Sequence, residues 1–182
     1  SVVAIEKALN TELLGMPLKL RIDRIDRLQD GSDLLIDYKS GTPNVTDWFG
    51  DRPRQPQLPL YSFATRHPVS GLAFGQVNAS EVTFKGVCSD GQPAAGVKPL
   101  GQLRNPPCED WEQMTQLWQQ TLEQLMSDFL TGQVSVSPLD GNVYQYSQLQ
   151  PLNRHYEQDR LGETHSEQLP IKTGLEMESN HG

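Results

Sequence analysis

Two short segments, Ile22-Asp23-Arg24-Ile25-Asp26-Arg27 and Leu34-Leu35-Ile36-Asp37-Tyr38-Lys39-Ser40-Gly41, constrain this chain more than any other part of it. They read as amphipathic strands over residues 18–28 and 34–39, and Asp30-Gly31 between them is a hairpin signal. Side chains alternate across a strand, so Asp37 and Lys39 share one face while Ile36 and Tyr38 point to the other. Whether Asp23 joins them depends on the turn. A two-residue loop at Asp30-Gly31 pairs Gln29 with Ser32 and sets Asp23 opposite Tyr38. A three-residue loop, Gln29-Asp30-Gly31, pairs Leu28 with Ser32 and puts Gly31 where glycine is wanted. In that register Asp23 lies opposite Asp37, with about 5 Å between Cβ atoms.

Two carboxylates facing each other repel unless a cation sits between them. A divalent ion such as Mg²⁺ suits, because it takes one or two carboxylates and keeps water at its other positions. Such an ion polarises a phosphoryl oxygen and lowers the pKa of a bound water. Lys39, on the same face, can orient that water or neutralise charge on a phosphate. The plainer reading is a surface hairpin in which Arg24, Asp26 and Arg27 form cross-strand pairs worth roughly 0.2–1 kcal/mol each. Apolar residues flank both aspartates, which argues against a merely solvated ribbon.

A chain of 182 residues is one domain with a tail, large enough for a real core. It shows no secretory signal and no apolar run near 18 residues, which points to a soluble, cytoplasmic protein with no membrane partner. Cys88 and Cys108 have no metal-ligand spacing and read as reduced thiols. The net charge of −8 disfavours wholesale nucleic-acid binding, but it is unevenly spread. Residues 1–70 carry 9 basic and 9 acidic side chains, leaving 6 of the 15 basic and 14 of the 23 acidic ones for the remainder. A cation held by the aspartates of the neutral half would turn its outward field positive, so DNA remains open as a partner.

Elsewhere, Val2 to Ile5 is a short apolar run. Residues 42–56 form a surface loop containing Trp48 and Phe49. Residues 57–66 can be helical, with Pro59 tolerated in the first turn. Residues 72–77 and 82–87 read as strands joined at residues 78–80, and residues 88–107 as a loop. From Glu109 the pattern is helical to about residue 131. Trp111, Met114, Trp118, Leu122, Leu125 and Phe129 make one apolar stripe, acidic residues suit its start, and Gly132 suits its stop. From about residue 157 the chain is polar, patternless and expected to be disordered.

The hairpin residues and a third segment, Gln57-Leu58-Pro59-Leu60-Tyr61, together resemble the RecB/AddB-type branch of the PD-(D/E)xK nuclease superfamily. Its pattern is a strand ending Gly-x-Ile-Asp-Arg-Ile-Asp, a strand Ile-Asp-Tyr-Lys-Ser/Thr-Gly, then a helix with Gln-x-x-x-Tyr. Three motifs in order and at the right spacing make a specific signal, strong over residues 1–87 and faint over 109–154. The resemblance implies a restriction-endonuclease-like α/β fold: a mixed β-sheet core flanked by helices. The nuclease-like domain would span residues 1–154, with residues 155–182 as a polar tail. Asp23, Asp37 and Lys39 would be catalytic, and Asp23, Asp37 and the carbonyl of Tyr38 would hold Mg²⁺ or Mn²⁺. Gln57 and Tyr61 would support the site, and Arg21, Arg24, Arg52 and Arg54 would contact phosphates.

The implied activity is metal-dependent, exonuclease-like hydrolysis of DNA in a bacterial repair or recombination protein, beside a helicase-like region of the same parent chain or a helicase partner. The alternative is an inactive nuclease-fold module that binds DNA or acts as a scaffold. Three departures bear on the choice. Leu20 stands where the family usually has glycine. The family's upstream helix, with a His or Glu completing the metal site, is expected before Ser1; Glu6 is a weak substitute. Many members also carry iron–sulfur cysteines spaced Cys-x2-Cys-x5-Cys-Arg, but the matching positions here are Tyr144, Ser147 and Asn153. No cluster is expected, since such clusters need thiolates.

Overall fold

The computed structural model describes residues 1–77 and 81–133. Strand β1 (Val2–Leu13) turns back into β2 (Met16–Arg27), which turns into β3 (Asp33–Lys39). A loop with a 3-10 turn at Val45–Trp48 leads to α1 (Gln57–Ala64) and then β4 (Val69–Val77). Strands β5 (Val82–Cys88) and β6 (Val97–Pro99), a second 3-10 turn and helix α2 (Trp111–Leu130) follow. The six strands form one sheet in chain order, antiparallel except at β3–β4 and β5–β6. A parallel neighbour needs a crossover connection, and the segment carrying α1 supplies it between β3 and β4. This mixed sheet with helices is the restriction-endonuclease-like arrangement expected from the motifs.

The three-residue turn is the one formed. Arg24 pairs with Ile36 and Arg27 with Asp33, and Leu28 N–H donates to the Ser32 carbonyl at 2.8 Å. Gly31 sits at φ +83, a left-handed conformation that favours glycine. The Asp30 carboxylate fixes the far side of the loop by accepting from Ser32 N–H at 2.9 Å and Ser32 Oγ at 2.6 Å.

Other expectations need correction. The apolar run at Val2 is the start of a strand that continues to Leu13 and forms a hairpin with β2 through Leu14-Gly15. Both turn residues have positive φ, 49 and 82, the type I′ geometry; leucine there carries no turn signal. Strand β3 is not amphipathic. Asp33 through Asp37 are all buried, because β3 lies between β2 and β4 with apolar clusters on both faces. Trp48 is no surface residue either: it is fully buried and stacks on Phe74 of β4 with ring centroids 4.6 Å apart. The stretch 88–107 contains β6 and buries Val97 and Leu100.

The larger cluster lies on the helix side of the sheet. Ile25, Leu35, Leu72, Phe74 and Val87 meet Leu58 and Tyr61 of α1, Met114 and Trp118 of α2, and Trp48. The stripe on α2 is core as expected for its first three turns, whereas Phe129 is 67% exposed. Trp118 Nε1 donates to the Trp48 carbonyl at 3.0 Å and Trp111 Nε1 to the Val69 carbonyl at 2.7 Å, tying α2 to the loop and to β4. On the opposite face Leu34, Ile36, Ala73, Cys88 and Val97 cluster. Both cysteines are free thiols, and burial pushes Cys88 up to about 11, so it is a poor nucleophile. No described helix is long and apolar enough to cross a membrane. The expected turn at 78–80, the segment 138–154 and the tail 155–182 lie outside the described residues.

Candidate active site

Asp23, Asp37, Lys39, Gln57 and Tyr61 converge where β2 parts from β3. The β2–β3 ladder stops at Arg24–Ile36, one rung before Asp23 would face Asp37. There a side chain replaces the missing rung: Tyr38 N–H donates to Asp23 Oδ2 at 2.9 Å. In an extended strand a residue's N–H and C=O point to the same side, so the Tyr38 carbonyl also faces Asp23 rather than β4. An irregularity in β2 helps to aim Asp23. Ile22 and Ile25 both enter the helix-side cluster although they are three residues apart, so the alternation slips a phase between them. Opposite, the Glu6–Asp23 rung is missing from the β1–β2 ladder, and Glu6 has φ +47. Such irregularities recur beside active sites, where they re-aim a side chain.

Asp37, at the end of buried β3, is only 7% exposed. The Lys39 ammonium lies 2.9 Å from Asp37 Oδ2, yet that approach lacks hydrogen-bond alignment, and Oδ2 is left with no directed donor. Lys39 itself donates to Gln57 Oε1 at 3.1 Å, so the first residue of α1 steers the lysine into the site. Asp33, on the same strand, is a useful contrast. It is buried too, but the Arg27 guanidinium grips both of its oxygens, at 2.5 and 3.5 Å. Asp33 is a satisfied structural carboxylate; Asp37 is not.

Burial pushes the Asp37 carboxyl above its ordinary range; the Lys39 ammonium opposes the shift and the Asp23 charge adds to it. The Tyr61 phenol is likewise raised, chiefly by burial and then by the charges of Asp37 and Asp23, while the backbone and charge of Arg21 oppose this. Tyr61 therefore lies within the field of both carboxylates. A raised carboxyl pKa means the folded state holds its proton more tightly than the unfolded chain does. Stability is therefore lost as pH rises from about 3.8, the ordinary aspartate value, through the higher folded-state value. In metal-free protein, urea midpoints should fall over this window relative to Asp37→Asn, whose profile should be flatter. Parallel profiles would contradict the assignment.

The remaining expected site residues are placed differently. Arg21 is exposed on β2 next to Tyr61, and Arg52 and Arg54 are exposed on the segment leading into α1. Arg24 is not brought to the site. Its guanidinium clamps Asp26 at 2.7 and 2.6 Å and donates to the Tyr38 hydroxyl at 3.2 Å, on the face shared with Ile36. A further basic pair was not legible in the sequence. Lys85 and Lys98 line a cleft of about 430 Å³ with Thr42, Asn44 and Leu103. Register places Asp37, Phe74 and Lys85 in one row across β3, β4 and β5, two strand spacings or about 10 Å from end to end.

The donor set fits a hard divalent cation in part. Two carboxylates, one with a buried oxygen whose near neighbour is the Lys39 ammonium, and a backbone carbonyl are oxygen ligands of the kind such ions prefer. Among the described residues no third Asp, Glu, His or Cys joins them.

No curated protein matches the chain. Among solved structures it is similar to SSO0001, 15% identical with a TM-score of 0.38; the match covers 78% of this chain, which spans about half of SSO0001, 54%. The model of the PD-(D/E)XK nuclease superfamily matches residues 1–141, over the stretch that carries Asp23, Asp37 and Lys39, and the chain belongs to that superfamily.

Proposed function

We propose that this site hydrolyses phosphodiester bonds of DNA with Mg²⁺ or Mn²⁺, in a repair or recombination protein of the RecB/AddB type. The observation that carries the reading is Asp37 Oδ2, a buried carboxylate oxygen with no directed donor, beside Asp23 and a steered lysine. Asp23, Asp37 and the Tyr38 carbonyl would hold the cation, which when bound supplies charge to a phosphoryl oxygen and acidifies a water. Lys39, held between Asp37 and Gln57, orients the attacking water and offsets charge growing on the phosphate. Tyr61 and the backbone of Arg21 wall the site. The three motifs in RecB/AddB order support the subtype and, with it, a helicase-like partner region.

The test is release of nucleotides from linear duplex and single-stranded DNA with Mg²⁺ or Mn²⁺, and its loss with EDTA. Absence of metal-dependent cleavage on either substrate would overturn the catalytic reading for this chain. A second reading, an inactive nuclease-fold module that binds DNA, is favoured by the absence of a third ligand among the described residues. It predicts binding without cleavage.

Lys85 and Lys98 extend the reading to the rest of the strand. Neither has an ion pair among the described residues, no acidic side chain lines their cleft, and the row from Asp37 leads to Lys85. Phosphates on one side of the cleaved bond would bind there. Removing one phosphate-binding lysine should reduce the slope of log affinity against log salt by about 1. Lys85→Ala with Lys98→Ala should therefore flatten the slope for single-stranded DNA by about 2, measured by fluorescence anisotropy in Ca²⁺. An unchanged slope would remove the cleft from the DNA path.

A further inference from the structure

Arg24 and Asp26 flank Ile25 on β2, next to Asp23, yet both lie on the sheet face away from the site just described. Three observations on that face fit together. The Arg24 guanidinium is gripped by both Asp26 oxygens, at 2.7 and 2.6 Å, which fixes its plane. Its remaining arm donates to the Tyr38 hydroxyl at 3.2 Å. The Tyr38 ring lies directly on Gly75 of β4: a Cβ there would sit 2.6 Å from Tyr38 Cδ1 and 2.7 Å from Cε1. Gly75 has no unusual φ to explain it. The missing side chain is what lets the ring lie flat across β4, as aromatic residues do over strand glycines.

The ring adds to the β4 pairing, Tyr38 with Gly75 and Lys39 with Gln76, in holding the backbone of Tyr38. That residue is past the last β2–β3 rung, so no backbone ladder to β2 holds it there. Its N–H nonetheless meets Asp23 Oδ2 at 2.9 Å, and its carbonyl points the same way. Asp37 and Lys39, its chain neighbours, carry the other site groups on the opposite face. A twist of the Tyr38 backbone would therefore move both carboxylates and the carbonyl against one another.

We propose that Arg24, Asp26 and Gly75 form a brace that holds the Tyr38 ring from the far side of the sheet and thereby sets the spacing of Asp23, the Tyr38 carbonyl and Asp37. These are positioning residues; none touches substrate. The proposal rests on the catalytic reading above for its purpose, but its geometry can be tested without cleavage. Charge alone does not suffice, because lysine at position 24 cannot grip Asp26 with two donors and still reach Tyr38. Alanine at position 75 must push the ring off β4.

The experiment is amide hydrogen exchange by NMR on the full chain, without metal, for wild type, Arg24→Lys, Gly75→Ala and Tyr38→Phe. The brace predicts that the Tyr38 amide exchanges at least 10-fold faster in Arg24→Lys and Gly75→Ala. Leu35 and Leu72 should be unchanged. Tyr38→Phe, which keeps the ring and loses only the hydroxyl, should fall between them and wild type. Mn²⁺ affinity, followed by electron paramagnetic resonance, should weaken in the same order. An unchanged Tyr38 amide, or an equal acceleration at Leu35 and Leu72, overturns the brace. Failure of the wild type to cleave DNA would instead overturn the catalytic reading, with the brace still judged on exchange.

Discussion

Asp37→Ala should lower metal-dependent DNA cleavage by at least about 100-fold, the loss typical when a preorganised charge-stabilising group is removed from an active site. The protein should remain folded and bind DNA. Asp37 is buried, lies in the field of Asp23, and has one oxygen without a directed donor. Without the cation it opposes folding, so its removal should leave thermal stability unchanged or raised, the usual relation at a site built for function. Lys39→Ala should cost a similar factor through kcat with little change in KM for DNA, because the lysine acts on charge that develops during reaction. Gln57→Ala should cost less, since it only steers the lysine. Full activity in both Asp37→Ala and Lys39→Ala would end the assignment. Loss of activity with loss of the cooperative unfolding transition would mean that Asp37 is structural, as Asp33 is.

Trp48→Ala should destabilise the protein by about 3–5 kcal/mol, the range for a fully buried large aromatic. The indole is 0% exposed and packs on Phe74, and the carbonyl of the same residue receives Trp118 Nε1. The loop between β3 and α1 is thus pinned from both sides, and Gln57 is placed at its far end. A cavity at Trp48 should loosen the approach of α1 to β3, so activity should fall as well as the urea midpoint. Trp48→Phe, which fills part of the space, should recover most of the stability. A loss under about 1 kcal/mol for Trp48→Ala would show that the loop closes over the gap, and that this residue does not set the loop.

The part of the fold nearest the site was the most legible. Register follows from where Gly31 can sit, and once Gly31 takes the left-handed position the register that carries Asp23 to the level of Asp37 is set, although the ladder itself stops one rung short. Helix α2 was legible because its stripe repeats over five turns. Trp48 was not, because a single aromatic in a Pro- and Gly-rich stretch has no period to reveal its depth. Strand β6 is three residues long, shorter than any pattern can mark. The type I′ turn at Leu14 was hidden because leucine occupies a conformation that usually calls for asparagine or glycine. Alternation also sets Arg24, paired with Ile36, on the face away from Asp37; what a motif of charged residues does not reveal is that its guanidinium is taken up by Asp26 and Tyr38.

Among the described residues the sheet ends on one side at β6, with three residues, and on the other at β1, with twelve. Strand β1 is the exposed border, and Val2, Val3 and Ile5 are about half exposed or more. A long apolar border of this kind is a template on which a second copy could add its own strand and start an aggregate. Glu6 interrupts it. Its left-handed backbone turns one peptide out of line in the middle of the free edge, and an incoming strand cannot stay in register across the break. The residue opposite Asp23 thus also interrupts the outer edge on which another strand would have to pair.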